Sequence, residues 1–104
     1  MPGKKSRAET VKVQKWSFEL YVAGQTPRSL QAIANLKLLC ENNLKENYEL
    51  KIIDVSENPA LARVKQLIAL PTLIRLKPEP ERIVVGDLSE MEKAISILGM
   101  HNGN

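Results

Sequence analysis

Two strand-like segments joined by one long amphipathic helix limit the folds that this chain can adopt. In Trp16–Val22 the large apolar side chains alternate with other residues, as they do in a strand. Thr26 and Pro27 then match the start of a helix, and apolar residues recur at helical spacing over residues 27–44. Tyr48–Val55 is a second strand-like run, rich in β-branched residues. A strand–helix–strand unit of this size implies parallel pairing through a right-handed crossover.

The following residues predict a short helix and a hairpin. Asn58-Pro59 repeats the signal of a capping residue before a proline, so we expect a helix over residues 59–68. Leu70-Pro71 ends that helix, because the residue before a proline avoids helical torsion angles. The apolar runs 72–76 and 82–85 are then the two strands of the hairpin.

The last element is predicted to be a helix. Ser89 and Glu92 have the spacing of a capping box, and Gly99 is a typical helix stop. The residues expected on its buried face are Met91, Ile95 and Leu98. The element order is therefore βαβαββα, which predicts an α/β thioredoxin-like fold with a mixed four-stranded sheet. Pro71 stands where thioredoxin-like proteins have a cis-proline, so we expect a cis bond there.

Charge and composition divide the chain and exclude several classes of function. Residues 1–15 carry five basic and one acidic side chain, whereas the other 89 residues carry ten basic and eleven acidic ones. We therefore expect a basic flexible tail at 1–15, one domain at 16–99 and a short polar tail at 100–104. No apolar run has the length of a membrane span or a signal peptide, so a cytoplasmic protein is expected. With aromatic residues at 4%, nucleic acid is not expected as a partner.

The chemistry of a thioredoxin-like enzyme is missing from the sequence. Such enzymes have a Cys-x-x-Cys motif at the start of the first helix, where this chain has Gly24-Gln25-Thr26-Pro27. Cys40, the only cysteine, falls on the apolar face of that helix, where a buried and unreactive thiol is expected. His101 has no nucleophile beside it. We find no catalytic constellation and expect no metal or other cofactor, so the predicted function is binding.

Four strings, in one order and at close spacing, resemble the KaiB family of circadian clock proteins. They are Leu20–Ser29, Tyr48–Val55 with Asn58-Pro59, Leu70–Leu73 and Val85–Ser89. The resemblance extends from about Trp16 to Leu98. It implies a non-enzymatic partner of the hexameric P-loop ATPase KaiC. Family members bind the N-terminal ring of that ATPase and there sequester KaiA or compete with the kinase SasA.

The resemblance also implies fold switching. The ground state of the family, usually a tetramer, keeps the first half of the chain but has the order βαββααβ, and the thioredoxin-like form binds KaiC. We place the hinge of such a switch at Gly86 and Asp87. Because the capping box and the apolar face of the last helix favour the thioredoxin-like order, we expect this form as a monomer, with a homotetramer as the alternative.

Some residues differ from the pattern of the clock proteins. Glu49 occupies a place in the second strand where the family has a small residue, and the acidic C-terminal tail is absent. A stress-response adaptor therefore remains an alternative, as does a thioredoxin-like redox or glutathione-linked enzyme. The residues expected to contact the partner are Lys51, Arg75 and Arg82, on the second strand and on the hairpin. Lys51 falls where the family has a strand lysine.

Overall fold

The computed structural model describes residues 15–100, which form four strands and three α-helices. In chain order these are β1 (Trp16–Val22), α1 (Pro27–Asn43), β2 (Tyr48–Asp54), a 3-10 turn (Val55–Glu57), α2 (Ala60–Val64), β3 (Thr72–Lys77), β4 (Arg82–Val85) and α3 (Met91–Leu98). This order confirms the predicted thioredoxin-like fold. Of the predicted tails, 1–15 and 100–104, all but Lys15 and Met100 lie outside the described residues. Met100 belongs to the core rather than to a polar tail, because its side chain is 1% exposed.

One mixed sheet organises the domain, with the strand order β2-β1-β3-β4. β1 pairs in parallel with β2, and Trp16 lies opposite Tyr48 in the register. β1 pairs in antiparallel fashion with β3, and β3 does so with β4. The first strand therefore lies inside the sheet, and β2 and β4 form its two edges.

The larger part of the core lies between α1, α3 and one face of the sheet. Thr26 begins α1, because its hydroxyl accepts a hydrogen bond from the N–H of Ser29 at 3.2 Å. The helix buries Leu36 and Leu39 against alternate side chains of β1, which are Phe18, Leu20 and Val22. Ala94 and Leu98 of α3 complete this cluster.

A smaller cluster covers the other face of the sheet. Tyr21, Val55 and Ile74 form its buried centre, and Leu61 and Leu67 pack against it. The residues of β1 that the sequence places on its second face thus find partners too, which is why Tyr21 is only 1% exposed. Apolar residues on both faces are expected of a strand in the interior of a sheet.

The second helix is shorter than the predicted 59–68, and α2 ends at Val64. Gln66 adopts a left-handed conformation (φ 58°), and the N–H of Leu67 bonds to the carbonyl of Ala62 at 2.8 Å. This turn brings Leu67 onto the sheet and leaves Val64 and Ile68 exposed. The predicted length of this helix was wrong. Leu61, Val64 and Ile68 have the spacing of a helical apolar face, but the turn leaves Val64 and Ile68 in solvent.

The predicted capping box at Ser89 and Glu92 does not form. α3 begins at Met91 without a capping hydrogen bond from a side chain. Instead, the carboxylate of Asp87 accepts a hydrogen bond from the N–H of Ser89 at 3.0 Å, and Leu88 between them is left-handed (φ 66°). The loop is therefore organised by Asp87, which ends the extended conformation two residues before Ser89.

The packing of α1 leads to a first prediction. Replacing Leu36 with alanine should lower the free energy of unfolding by about 2–5 kcal/mol, because Leu36 is 1% exposed and its removal leaves a cavity. The matched control is Leu38→Ala on the same helix, where the side chain is 47% exposed and the loss should be about 1 kcal/mol or less. Urea denaturation followed by circular dichroism measures both values. Equal losses would contradict the packing described for α1.

Candidate functional site

The edge strand β2 carries the residue that the sequence singled out most directly. Glu49, Lys51 and Ile52 are exposed on this strand. Lys51 forms no ion pair with another residue in the range 15–100. Its neighbour across the strands is Glu19, whose carboxylate lies 2.6 Å from the hydroxyl of Tyr21 and 3.9 Å from the ammonium of Lys65. Within the described residues Lys51 is therefore an unpaired cation at the edge of the sheet, where an external partner can reach it.

In the sheet formed by residues 15–100, no strand pairs with the outer side of β2, so its main chain is available as well. The N–H of Trp16 bonds to the carbonyl of Asn47 at 3.1 Å, so in this parallel ladder the odd-numbered residues of β2 direct their N–H and C=O groups toward β1. Tyr48, Leu50 and Ile52 consequently direct theirs outward. An edge of this kind can accept the strand of another protein.

A shallow groove lies beside this edge. It has a volume of about 380 Å³ and is lined by Ser17, Glu19, Glu49, Lys51 and Leu76, among others. Acidic, basic and apolar side chains line the groove. It can therefore accommodate a charged side chain of a bound strand, with the apolar stem against leucine and the charged end against an opposite charge. We define the β2 edge as Tyr48–Ile52 with this groove.

Arg75 was predicted on an exposed polar face as a partner contact, but the structure buries it. The side chain is 5% exposed and faces the core beside Phe18. Its guanidinium donates hydrogen bonds of 2.5 Å to the carbonyls of Leu98 and Pro80, and lies 5.5 Å from the centre of the Trp16 ring. The Nε atom is buried and has no hydrogen-bond partner among the described residues.

The buried position of Arg75 has an electrostatic consequence. Burial lowers the pKa of its guanidinium below the ordinary value, and the nearby charge of Arg82 acts in the same direction. The group nevertheless stays charged and binds the carbonyl of Leu98, the last residue of α3, where the helix dipole favours a cation. Arg75 thus holds α3 against the sheet. The apolar residues on both faces of β3 were the sequence signal that this arginine would be buried.

Arg82 is exposed, but the structure does not bring it next to Lys51. It lies on β4, the opposite edge of the sheet from β2. Beside β4 there is a second groove, of about 470 Å³, lined by Ile83, Val85 and residues of α3 such as Lys93 and Ile97. Lys51 and Arg82 can therefore contact one partner only if that partner reaches both edges of the sheet.

The predicted hinge lies between β4 and α3 and is hydrogen-bonded to two other parts of the chain. Gly86 is left-handed (φ 115°), and its N–H bonds to the carbonyl of Pro71 at 2.9 Å. The carbonyl of Asp87 accepts a hydrogen bond of 2.8 Å from the side chain of Asn35 on α1. Hydrogen bonds from Ser89 lower the pKa of the Asp87 carboxyl. The Leu70–Pro71 bond is cis, the isomer expected at this place.

A hydrogen-bond network lies at the start of α1, where thioredoxin-like enzymes have their redox motif. Asp54, at the end of β2, accepts hydrogen bonds from the N–H of Gly24 at 2.8 Å and from the N–H and hydroxyl of Ser56 at 2.9 and 2.7 Å. The bonds from Ser56, followed by that from Gly24, lower the pKa of the Asp54 carboxyl. Beside it, the hydroxyls of Thr26 and Ser29 lie 2.9 Å apart. This arrangement caps α1 and contains no group for thiol chemistry.

The single cysteine is far from a reactive state. Cys40 is fully buried in the core, and burial raises the pKa of its thiol to about 12. In the part of the chain from residue 15 to 100, no group of three or more His, Cys, Asp or Glu side chains could hold a metal ion. None of the helices formed by these residues is both long and apolar enough to cross a membrane.

Comparison of the sequence with known proteins gives one family. A family model described as the KaiB domain matches residues 19–100. Curated relatives include the circadian clock oscillator protein KaiB of a Picosynechococcus species, 47% identical over 78 residues that cover 75% of this chain and 75% of the relative. The protein of the same name from Rippkaea orientalis has the same identity and coverage.

Comparison of the structure with solved ones gives the fold. The N-terminal domain of Synechococcus elongatus SasA is similar with a TM-score of 0.67 and 21% identity, over 90% of this chain and 92% of that domain. Mitochondrial thioredoxin 3 from Saccharomyces cerevisiae has a TM-score of 0.61 and 19% identity, over 85% of this chain and 83% of that one. The arrangement of the strands and helices is therefore shared with thioredoxins.

Arg75 provides a second prediction. The variant Arg75→Gln should lose about 1–3 kcal/mol in the free energy of unfolding, because the carbonyls of Leu98 and Pro80 lose a charged donor in a buried place. Arg82→Gln, at the exposed neighbour in the register, should change the stability by about 0.5 kcal/mol or less. Thermal and urea denaturation of both variants tests the assignment. A loss at Arg82 as large as that at Arg75 would contradict it.

Asp54 provides a third prediction, on pH. Because its pKa is lowered in the folded protein, the carboxylate stabilises the fold above the pKa of the unfolded chain, and this contribution is lost as the pH falls through the lowered pKa. Asp54→Asn should therefore be less stable than the parent near about pH 7, and this difference should shrink toward about pH 2. Urea midpoints at several pH values measure it, with Glu46→Gln in an exposed turn as the control. A difference independent of pH would contradict the assignment.

Proposed function

The chain belongs to the KaiB family, and on this basis we propose that it is a non-enzymatic module that binds a KaiC-type hexameric ATPase. The observation that carries the proposal is the KaiB family match from Glu19 to Met100, which includes every helix of the described structure and most of its first strand. Curated members of the family are named circadian clock oscillator proteins, and this supports a clock-related role. In this proposal the chain acts in the cytoplasm and modulates the circadian or stress-related signalling of the ATPase.

Two features of the structure support binding rather than catalysis. The place of the redox motif is filled by the hydrogen bonds of Asp54, Thr26 and Ser29, and the thiol of Cys40 is buried. The chain also has the thioredoxin-like form, which the resemblance associates with the bound state. The same form in the N-terminal domain of SasA supports, at the level of fold alone, competition between the two proteins for one ATPase.

The β2 edge is the surface that we assign to the ATPase. Among residues 15–100, Lys51 has no ion-pair partner, and no other strand pairs with the outward main chain of Tyr48, Leu50 and Ile52. Arg82 on the opposite edge is assigned to a second, separate contact, either with the ATPase or with a further clock protein such as KaiA or a SasA-like kinase. Arg75 has no part in this surface, since it is buried.

A rearrangement of the second half belongs to the same proposal. Gly86 and Leu88 are both left-handed and enclose Asp87, so the backbone changes direction sharply at this point. We assign the hinge of a fold switch to Gly86 and Asp87. The contacts that such a switch must break are those of this loop with Pro71 and Asn35.

The fourth prediction tests the β2 edge with a KaiC-type ATPase from the same organism. Lys51→Glu should raise the Kd by about tenfold or more, because it reverses a charge of the edge that has no ion-pair partner within the described structure. Arg82→Glu should give a smaller increase, which reports on the second contact. Lys37→Glu, exposed on α1, is the matched control and should bind as the parent does. Pull-down followed by biolayer interferometry provides the measurements.

The outcomes separate the partner from the surface. No binding by the parent chain would overturn the proposed partner. Binding that is equally strong in the parent, Lys51→Glu and Arg82→Glu would leave the partner in place but overturn the assigned surface. A disulfide-reductase activity that is lost in Cys40→Ser would instead support the redox enzyme and overturn the proposed function.

A further inference from the structure

The exposed β2 edge is complementary to itself. Glu49 and Lys51 are two residues apart on this strand, so their side chains lie on the same face of the sheet. Both are exposed, and they carry opposite charges. When two copies of this strand are placed antiparallel, Glu49 of each copy can therefore lie opposite Lys51 of the other.

The internal partners of these charges are weak. Lys51 has no ion pair with the other described residues, because Glu19 opposite it is bonded to Tyr21 and paired with Lys65. Glu49 is paired with Lys15 at 3.8 Å, and both side chains are more than half exposed. An exposed pair of this kind adds little stability, so Glu49 can exchange it for a better one at small cost.

From these observations we propose that the occupant of the β2 edge in the free protein is a second copy of this chain. The two strands run antiparallel about a two-fold axis at Leu50, and the two sheets become one continuous sheet. Leu50 pairs with Leu50 of the second copy, and Tyr48 pairs with Ile52 of that copy. These residues direct their N–H and C=O groups outward, so each pair exchanges main-chain hydrogen bonds.

The charges select this register. With Leu50 on the axis, Glu49 lies opposite Lys51 of the second copy, in a pair without main-chain hydrogen bonds, where the Cα atoms are about 4.5 Å apart and side chains are closest. An axis at Lys51 would place two lysines opposite each other, and an axis at Glu49 would place two glutamates there. Like charges directly opposite each other disfavour both of these registers.

This pairing regulates the site of the proposed function, on which that part of the inference rests. The second copy covers the main-chain groups and the charge of Lys51 that we assign to the ATPase. The monomer therefore binds the ATPase, and the dimer is the inactive reserve.

Sedimentation of the full chain, without any ATPase, tests the dimer. The parent should shift from monomer to dimer between micromolar and millimolar concentration, and both Glu49→Lys and Lys51→Glu should associate about tenfold or more weakly. An equal mixture of these two variants should recover the dimer, because one presents two lysines and the other two glutamates. The doubly exchanged variant Glu49→Lys/Lys51→Glu should recover it as well.

Disulfide trapping tests the register. The double variant Glu49→Cys/Lys51→Cys should form an intermolecular disulfide on mild oxidation, because the two positions face each other at a distance that a disulfide can bridge. Glu49→Cys alone should form no intermolecular disulfide under the same conditions, because position 49 faces position 51 of the second copy and not another cysteine. A parent that remains a monomer at millimolar concentration would overturn the proposal, as would a dimer whose strength is unchanged in both charge variants.

The failure of this inference differs from a failure of the proposed function. A chain that stays monomeric but binds the ATPase through Lys51 overturns only the dimer. A chain that dimerises as described but does not bind the ATPase overturns the proposed function and the regulatory part, and the dimer stands. If both occur in the parent, the Kd for the ATPase should rise with the concentration of this chain, and a constant Kd would overturn the masking of the site.

Discussion

The central position of β1 is the constraint on which the rest of the structure depends. This strand is the one in the described sheet that pairs with both halves of the chain, in parallel with β2 and antiparallel with β3. Its side chains pack against helices on both faces of the sheet. Phe18 and Leu20 belong to the cluster with α1 and α3, and Tyr21 belongs to the cluster beside α2. Because β1 is paired along both of its edges, the outer strands β2 and β4 provide the exposed edges of the described sheet.

Much of the fold can be predicted from the sequence because several local signals agree. The alternation in Trp16–Val22 and the pair Thr26-Pro27 correctly predict β1 and the start of α1. Where the prediction was wrong, another contact outweighed the expected pattern. Leu67 turned onto the sheet and ended α2 early, and this tertiary contact has no local signature. At Ser89 two local patterns competed, and the hydrogen bond from its N–H to the carboxylate of Asp87, two residues earlier, formed in place of the capping box.

The candidate site shows the same division between local and tertiary information. A lysine in an edge strand can be predicted to be exposed once the order of strands is known, and Lys51 is indeed exposed. Arg75 has the same charge, but it lies on an interior strand between Phe18 and the end of α3. A positive charge in a strand therefore does not by itself predict that the residue contacts a partner. The position of the strand in the sheet decides which charge meets solvent and which one connects two elements.

The contact of Arg75 with Trp16 has a consequence for observing the protein at work. Trp16 is the single tryptophan of the chain, and a guanidinium lies 5.5 Å from its ring centre. The same guanidinium bonds to the last turn of α3 and to the loop at Pro80, so the indole lies beside the group that joins the C-terminal half to the sheet. Indole emission depends on a nearby cation. The intrinsic fluorescence of the unlabelled chain therefore reports, in real time and from the margin of the core, whether its C-terminal half is docked.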